Sequence, residues 1–308
     1  MFKYYIAIAR PSHWFKNIFV IPGLVMVVFL TKASLADYWL NIIIGLASAC
    51  LIASANYTIN EWFDADFDSF HPLKKHRPSV LGKIKYHFVV LQYALLSALG
   101  LFLALGISDY FFYTSALFLL MGFFYNINPI RTKDKPYLDV LSESVNNPIR
   151  LLLGWFMISS AILPPSSLLI AYWMAGAFLM AVKRYAELRL ISDRSIAALY
   201  RKSFSYYTES NLLVSIIFYA MTFAFFFGVF MVKYKIEFIL TLPFYSVLFA
   251  WYFNIGMKTD SSAQRPEKLY QELGFSSYVI LVVVITLAAL FINLPMLNLL
   301  TSKIITNH

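Results

Sequence analysis

The chain has 308 residues, a net charge of +9 at pH 7, and a composition that is 60% hydrophobic and only 13% charged. Its mean hydropathy is +0.68, whereas soluble domains carry roughly a quarter charged residues. These values exclude an ordinary soluble protein and predict an integral membrane protein. The positive charge does not indicate a nucleic-acid partner, because no basic stripe lies on a soluble segment. It is instead typical of cytoplasmic loops beside anionic membrane lipids.

Apolar runs long enough to cross a bilayer recur along the whole chain, since a spanning helix needs about 20 apolar residues. Nine runs approach that length, at 17–31, 39–61, 87–107, 110–127, 139–162, 166–186, 211–232, 236–256 and 274–298. The sequence therefore predicts an all-α polytopic membrane protein of about nine transmembrane helices. We expect a single integral-membrane domain over residues 1–308.

The longer loops between these runs carry most of the lysine and arginine. They lie at 64–86, 128–138, 188–210 and 258–272, and they alternate with short, weakly charged loops. Because loops rich in lysine and arginine stay in the cytoplasm, all four are predicted to be cytoplasmic.

An acidic helix end follows the second apolar run. Asn60, Asp64 and Asp68 recur every four residues, so a helix would place them on one face about one turn apart. Carboxylates stacked in this way repel each other unless a cation lies among them. Oxygen ligands of this kind suit Mg²⁺, which proteins hold through a few carboxylates together with substrate phosphates. The pattern predicts a magnesium site.

A basic stretch comes directly after the acidic one. Lys74, Lys75 and Arg77 follow Asp68 by six to nine residues, close enough for a folded-back loop to reach the same site. Lysine and arginine form strong charge-assisted contacts with phosphate. The two stretches together predict a binding site for a diphosphate donor at the membrane surface.

A second polar cluster opens the fifth run. Asp139, Glu143, Asn146 and Arg150 are spaced four, three and four residues apart, which predicts that they share one helical face. Ionisable residues within a spanning helix usually face a polar cavity or a partner. The alternative is an ion-pair network that only locks helices together.

Two further stretches contain candidate substrate-binding residues. Lys183 and Arg184 end the sixth run, although Lys183 and Glu187 are also spaced for a plain salt bridge. Near the N-terminus, the candidates are Arg10, Lys16 and Asn17. That stretch could equally be a positive interfacial anchor with an aromatic side chain at the headgroup level.

These motifs resemble those of the UbiA superfamily of intramembrane prenyltransferases. Its members have about nine spans, with an Asn-x-x-x-Asp-x-x-x-Asp motif after the second and another acidic motif at the fifth. The resemblance implies that the nine helices surround a central cavity. Other stretches are similar to the decaprenyl-phosphate phosphoribosyltransferase branch. These are Arg10-Pro11-x-x-Trp14-x-Lys16-Asn17, His71-Pro72-x-Lys74-Lys75-x-Arg77-Pro78, Lys183-Arg184-Tyr185-x-Glu187, and Arg201-Lys202-Ser203 with Tyr207-Thr208. The resemblance departs at Glu61, where the family has aspartate, and at Glu143 in the second motif.

The resemblance implies a magnesium-dependent transferase that joins phosphoribosyl diphosphate to a polyprenyl phosphate and releases pyrophosphate, a step in cell-envelope glycolipid synthesis. It implies metal ligands among Asn60, Glu61, Asp64 and Asp68, and catalytic roles for Asp64, Asp68, Asp139 and Glu143. It implies substrate-binding roles for the remaining candidates, namely Lys74, Lys75, Arg77, Arg150, Lys183, Arg184, Arg10, Lys16 and Asn17. The protein would be multi-pass in a bacterial inner membrane, with its active site facing the cytoplasm. An oligomer is compatible with this arrangement.

Two other functions remain open from the sequence. One is transfer of a prenyl group from a prenyl diphosphate to an aromatic or quinone-precursor acceptor, which would use the same magnesium site. The many basic side chains favour a donor with an additional phosphate. The other is a transporter or membrane scaffold, but transporters place their charges near the bilayer midplane, whereas these charges lie at helix ends.

Overall fold

The structure is a computed structural model that describes residues 2–191, 193–259, 261–264 and 266–300. Helices α1 to α13 are Phe2–Ala9, Ile21–Thr31, Trp39–Phe63, Ala65–Asp68, Tyr86–Leu105, Asp109–Asn126, Leu138–Ser144, Asn146–Phe156, Ser166–Leu190, Arg194–Tyr200, Glu209–Tyr234, Leu242–Gly256 and Leu273–Phe291. Short 3₁₀ turns connect several of them. The described residues contain no β-strand, so the all-α prediction is confirmed.

Seven helical segments of the described chain are long and apolar enough to cross a membrane. They are Phe2–Thr31, Leu35–Phe63, Tyr86–Leu105, Ser166–Leu190, Glu209–Tyr234, Ile236–Gly256 and Leu273–Phe291. The protein is therefore a multi-pass integral membrane protein, although the predicted count of nine is not confirmed. The predicted fourth span corresponds to α6, which is 18 residues long but begins at Asp109 and ends at Asn126.

The predicted fifth span is not one continuous helix. It is divided at Val145 into α7 and α8. Pro148 lies in the first turn of α8 and has no N–H to donate to the carbonyl four residues earlier. The Asn146 side chain donates to the carbonyl oxygen of Glu143 over 3.0 Å. Helical hydrogen bonds continue across the junction, from the amide of Val145 to the carbonyl of Leu141 and from the amide of Ile149 to that of Val145. The shared face of the polar residues in this span stays a prediction.

The helices pack into two compact units. The first comprises the chain up to Pro164 together with Ile191–Asn211, and the second comprises Pro165–Leu190 and the chain from Leu212 onward. Within the first unit, α3 packs against α5 and α6, and α2 packs against α8. Within the second, stacked aromatic rings join α9, α11 and α12, with Phe249 lying 4.3 Å from Phe178 and 4.7 Å from Phe223 between ring centroids. The single domain expected from the sequence stays a prediction.

Two glycines allow the backbones of neighbouring helices in the first unit to touch. A Cβ atom at Gly23 of α2 would lie 1.9 Å from the carbonyl oxygen of Leu151, and one at Gly154 of α8 would lie 2.0 Å from that of Val20. No real Cβ atom tolerates such distances from backbone. Small residues commonly serve this purpose between membrane helices, where close backbone approach supplies much of the packing energy.

We expect Gly154→Ala to lower the thermal unfolding temperature of the detergent-solubilised protein, because the added methyl group forces α8 away from its neighbour. Overpacking of this kind typically costs about 1–3 kcal/mol. Gly228→Ala is the matched control, because it lies within α11 and open space surrounds its Cβ position. A Gly154→Ala protein that melts like the wild type would contradict the backbone contact.

Candidate active site

A small polar cleft lies in the first unit beside the end of α3. Its lining includes three carboxylates and four cationic side chains. The lining residues are Asp64, Phe67, Asp68, Lys74, Arg131, Lys133, Asp134, Tyr200 and Arg201. Six of them come from the predicted cytoplasmic loops 64–86 and 188–210, and three come from 128–138.

The backbone at the end of α3 sets the register of the acidic motif. The amide of Asp64 donates to the carbonyl of Asn60 over 3.0 Å, and the amide of Asp68 donates to that of Asp64 over 2.7 Å. These helical hydrogen bonds continue through the junction of α3 and α4. Asn60, Asp64 and Asp68 therefore follow one another on successive turns, as their spacing predicts, while Asp66 is exposed.

Asp64 is held by two cations that sequence reasoning did not assign to the site. Its Oδ1 pairs with the Lys133 ammonium and lies 3.1 Å from Arg131 Nη2. Burial alone would raise the pKa of Asp64, but the charge of Lys133 and then that of Arg131 outweigh it and lower the pKa to about 2. Burial lowers the pKa of Lys133 to about 8, against the opposing attraction of Asp64. The pair is thus ionised at neutral pH.

Arg77 joins two acidic side chains. Its Nη1 pairs with Asp68 Oδ2, and its Nε lies 3.8 Å from Glu61 Oε2. Glu61 is buried, pairs with Arg10, and accepts a hydrogen bond of 3.2 Å from Ser79. The longer arm of glutamate thus reaches the N-terminal segment and the loop after the acidic motif, and its role as a metal ligand stays a prediction.

Of the two neighbouring lysines in the basic stretch after the acidic motif, only Lys74 lines the cleft. Lys74 lines the cleft, donates to the Tyr200 hydroxyl, and lies 4.7 Å from the centre of that ring. The buried His71 ring packs edge-on against the same tyrosine, with 4.6 Å between centroids. Lys75 is exposed and is not among the lining residues.

Asp139 of the second acidic motif is completely buried rather than lining the cleft. It accepts hydrogen bonds from the Tyr207 hydroxyl over 2.6 Å and from Ser203 over 3.3 Å, and it lies 3.4 Å from Arg201 Nη1. Asp139 therefore attaches the segment after α10 to α7. Glu143 accepts a hydrogen bond of 2.8 Å from Tyr125. The catalytic roles of Asp139 and Glu143 stay predictions.

The three N-terminal candidates, Arg10, Lys16 and Asn17, all contact side chains of α3. Arg10 and Lys16 lie 5.7 Å and 5.8 Å from the ring centre of Tyr57. Asn17 donates to Cys50 and accepts a hydrogen bond of 3.1 Å from Arg150 Nε. Arg150 thus connects α8 to the N-terminal segment.

The remaining candidates belong to the second unit. Arg184 Nη1 lies 2.9 Å from Glu187 Oε2, and both side chains are buried. Glu187 is thus paired with Arg184, and the salt bridge considered between Lys183 and Glu187 stays a prediction. The substrate-binding role of Lys183 and Arg184 stays a prediction.

The donor set at the end of α3 fits a hard cation. The described residues contain no group of three or more histidine, cysteine or acidic side chains placed to hold a metal ion. Asp64, Asp68 and the amide oxygen of Asn60 nevertheless offer oxygen atoms on successive turns, and Mg²⁺ is commonly held by one or two carboxylates with substrate phosphates.

These features define a helical, multi-pass membrane protein whose second span ends in an acidic face beside a cationic cleft. The sequence model of the UbiA prenyltransferase family matches residues 19–279. The chain belongs to this family, and its resemblance to the superfamily is confirmed.

Similar proteins within the family carry several names. The chain is 30% identical to a decaprenyl-phosphate phosphoribosyltransferase of Mycolicibacterium smegmatis over 208 residues, which are 66% of this chain and 62% of the relative. It is 28% identical to the nodulation protein NoeC of Azorhizobium caulinodans, over 66% and 63% of the two chains. It is 27% identical to a protoheme IX farnesyltransferase of Oceanobacillus iheyensis over 54% of each. The chain thus spans less than two thirds of the length of these relatives.

Solved structures share the fold. A UbiA homolog from Archaeoglobus fulgidus, bound to GPP and Mg²⁺, superposes with a TM-score of 0.69 at 20% identity. The match covers 94% of this chain and all of the archaeal chain. At this identity, the likeness establishes the fold alone.

We expect Asp139→Ala to destabilise the protein by about 3–5 kcal/mol, because it removes one partner of a buried ion pair. Thermal unfolding measures the loss, and hydrogen exchange should show faster exchange over residues 194–207. Asp66→Ala, at an exposed position, should change stability by no more than about 0.5 kcal/mol. Unchanged exchange and melting in Asp139→Ala would refute the anchoring role.

Proposed function

We propose that the protein transfers the 5-phosphoribosyl group of phosphoribosyl diphosphate to a polyprenyl phosphate and releases pyrophosphate. The observation that carries the proposal is the cleft, in which Asp64 and Asp68 stand beside Lys74, Arg131, Lys133 and Arg201. Two relatives, from Mycolicibacterium smegmatis and Corynebacterium glutamicum, are named decaprenyl-phosphate phosphoribosyltransferases.

The charge of the cleft favours this donor over a prenyl diphosphate. Phosphoribosyl diphosphate carries a 5-phosphate in addition to its diphosphate, so it presents two anionic groups at opposite ends of the ribose. The cations also come from different parts of the chain: Lys74 follows α4, Lys133 precedes α7, and Arg201 follows α10. A donor with two phosphate ends could contact all three loops.

Mg²⁺ is the proposed cofactor, with Asn60, Asp64 and Asp68 as its protein ligands. A bound magnesium ion would act as a Lewis acid that stabilises negative charge on the departing pyrophosphate. The Archaeoglobus homolog was solved with Mg²⁺, which supports the assignment.

The side chains supply charge and position rather than a strong base. The bond between C1 of the ribose and the pyrophosphate oxygen breaks with its electron pair on the oxygen, and an oxygen of the lipid phosphate forms the new bond to C1. That phosphate is already an anion at neutral pH, so no proton must be removed from it. Arg131 and Lys133 would bind the leaving group, and preorganised cations of this kind typically supply a large share of transition-state stabilisation.

The acceptor would approach from the membrane. Lys183 and Arg184 are proposed to bind its phosphate, while the exposed apolar side chains of the spans face its polyprenyl tail and the membrane lipids. The lysine-rich and arginine-rich loops support a cytoplasmic position for the cleft, where a soluble phosphorylated sugar is available. We propose a bacterial inner membrane and a role in cell-envelope lipid synthesis.

The deciding experiment offers purified protein and Mg²⁺ two substrate pairs in parallel. One is phosphoribosyl diphosphate with polyprenyl phosphate, and the other is geranyl diphosphate with 4-hydroxybenzoate. Mass spectrometry should find a phosphoribosylated lipid phosphate in the first reaction. Asp64→Asn should abolish this product in a protein that still folds. A prenylated aromatic product alone would overturn the proposal in favour of an aromatic prenyltransferase.

We expect Lys74→Ala to raise the KM for phosphoribosyl diphosphate by about tenfold or more. One charge-assisted phosphate contact is worth about 1.5–3 kcal/mol, and 1.4 kcal/mol corresponds to a factor of ten. Lys75→Ala is the matched control, because it removes the same charge from an exposed position one residue away. Steady-state kinetics with both variants checks this, and equal KM values in the two would show that the loop only anchors the protein to the membrane.

A further inference from the structure

Asn126 is a buried amide at the end of α6, and it touches the acidic motif from the neighbouring helix. Its Oδ1 accepts a hydrogen bond of 2.7 Å from Lys133 Nζ and another of 2.7 Å from Asn60 Nδ2. Its Nδ2 donates to the carbonyl oxygen of Gly122 over 2.8 Å. Asn126 thus links Lys133, which pairs with Asp64, to Asn60, the first residue of the acidic motif.

The partners of Asn126 permit only one orientation of its amide. An ammonium group can only donate, and a backbone carbonyl can only accept. Turning the amide over would set its NH₂ against Lys133 and its oxygen against the Gly122 carbonyl. The orientation of an amide follows from such a network, so Asn126 must present its oxygen to Asn60.

Asn60 must in turn direct its NH₂ toward Asn126. The same nitrogen donates to Asp64 Oδ2 over 3.1 Å, and the reverse orientation would bring three oxygen atoms together. The NH₂ group of a side-chain amide only donates hydrogen bonds and cannot bind a cation, whereas the amide oxygen can. Within the described residues, no hydrogen bond is made to Asn60 Oδ1.

We infer that Asn126 is a positioning residue that holds the Asn60 amide with its oxygen available to a cation shared with Asp64 and Asp68. The inference rests on the proposed function, since it concerns the same magnesium site. Asn126 acts through Asn60 and is not itself a ligand.

Asn56 distinguishes positioning from simple packing. It lies on α3 one turn before Asn60, and its Nδ2 donates to the carbonyl oxygen of Phe118 in α6 over 2.9 Å. It thus bridges the same pair of helices with the same chemical group, without a hydrogen bond to the acidic motif. Losing it should affect the helix contact only.

The test measures Mn²⁺ binding by electron paramagnetic resonance on the purified full-length protein in detergent. Mn²⁺ accepts the same oxygen ligands as Mg²⁺. We expect Asn126→Ala to weaken Mn²⁺ binding about tenfold, the loss corresponding to about 1.4 kcal/mol. Asn56→Ala should keep the wild-type affinity within about twofold, as expected where no ligand contact is lost. Asn126→Asp keeps an acceptor for Asn60 and should bind more tightly than Asn126→Ala.

A double-mutant cycle completes the test. If Asn126 acts through Asn60, Asn126→Ala should have no further effect on Mn²⁺ affinity in an Asn60→Ala protein. An undiminished loss in that background, or wild-type affinity in Asn126→Ala, would overturn the inference while leaving the proposed function intact. If the wild-type protein binds no Mn²⁺, the proposed metal site and this inference both fall.

Discussion

The ionised carboxylate of Asp64 at the end of the second span is the group around which the first unit is arranged. Placing such a charge near the bilayer costs several kcal/mol unless it is paired and hydrogen-bonded. Lys133 and Arg131 neutralise it, and Asn60 donates to its second oxygen. Arg131 also donates to the backbone carbonyl oxygens of Phe63 and Asn126. The loop between α6 and α7 is therefore shaped by the need to bring two cations to one carboxylate.

Charged side chains in the first unit have two kinds of surroundings, and one residue shares both. One set faces the cleft, where an anionic ligand can reach it, and includes Lys74 and Arg201. The other set connects segments, as Glu61 does for Arg10 and Ser79, and as Asp139 does for Ser203 and Tyr207. Arg201 belongs to both, because it lines the cleft and lies against Asp139. A change at the buried acid would consequently alter the cleft without touching a ligand.

The sequence predicted features that depend on local spacing. The helical face of Asn60, Asp64 and Asp68 followed from a four-residue period, and hydropathy located the long spans. Interactions between distant segments were not accessible in this way, since nothing in the sequence pairs Lys133 with Asp64 rather than with another acid. Two signals were overlooked. Pro148 lies within an otherwise helical run and indicates the division between α7 and α8. Asn126 is a polar amide at the end of an apolar run, where such residues usually have a partner.

The course of the chain between the two units has a consequence for biosynthesis. The polypeptide leaves the first unit after Pro164, forms α9 in the second, and returns to the first for Ile191–Asn211. That returning segment supplies Tyr200 and Arg201 to the cleft and Tyr207 to Asp139. A ribosome must therefore deliver one complete span of the second unit before the first can finish folding. During membrane insertion the cleft therefore stays incomplete until Arg201 has been made, when about a third of the protein is still to be synthesised.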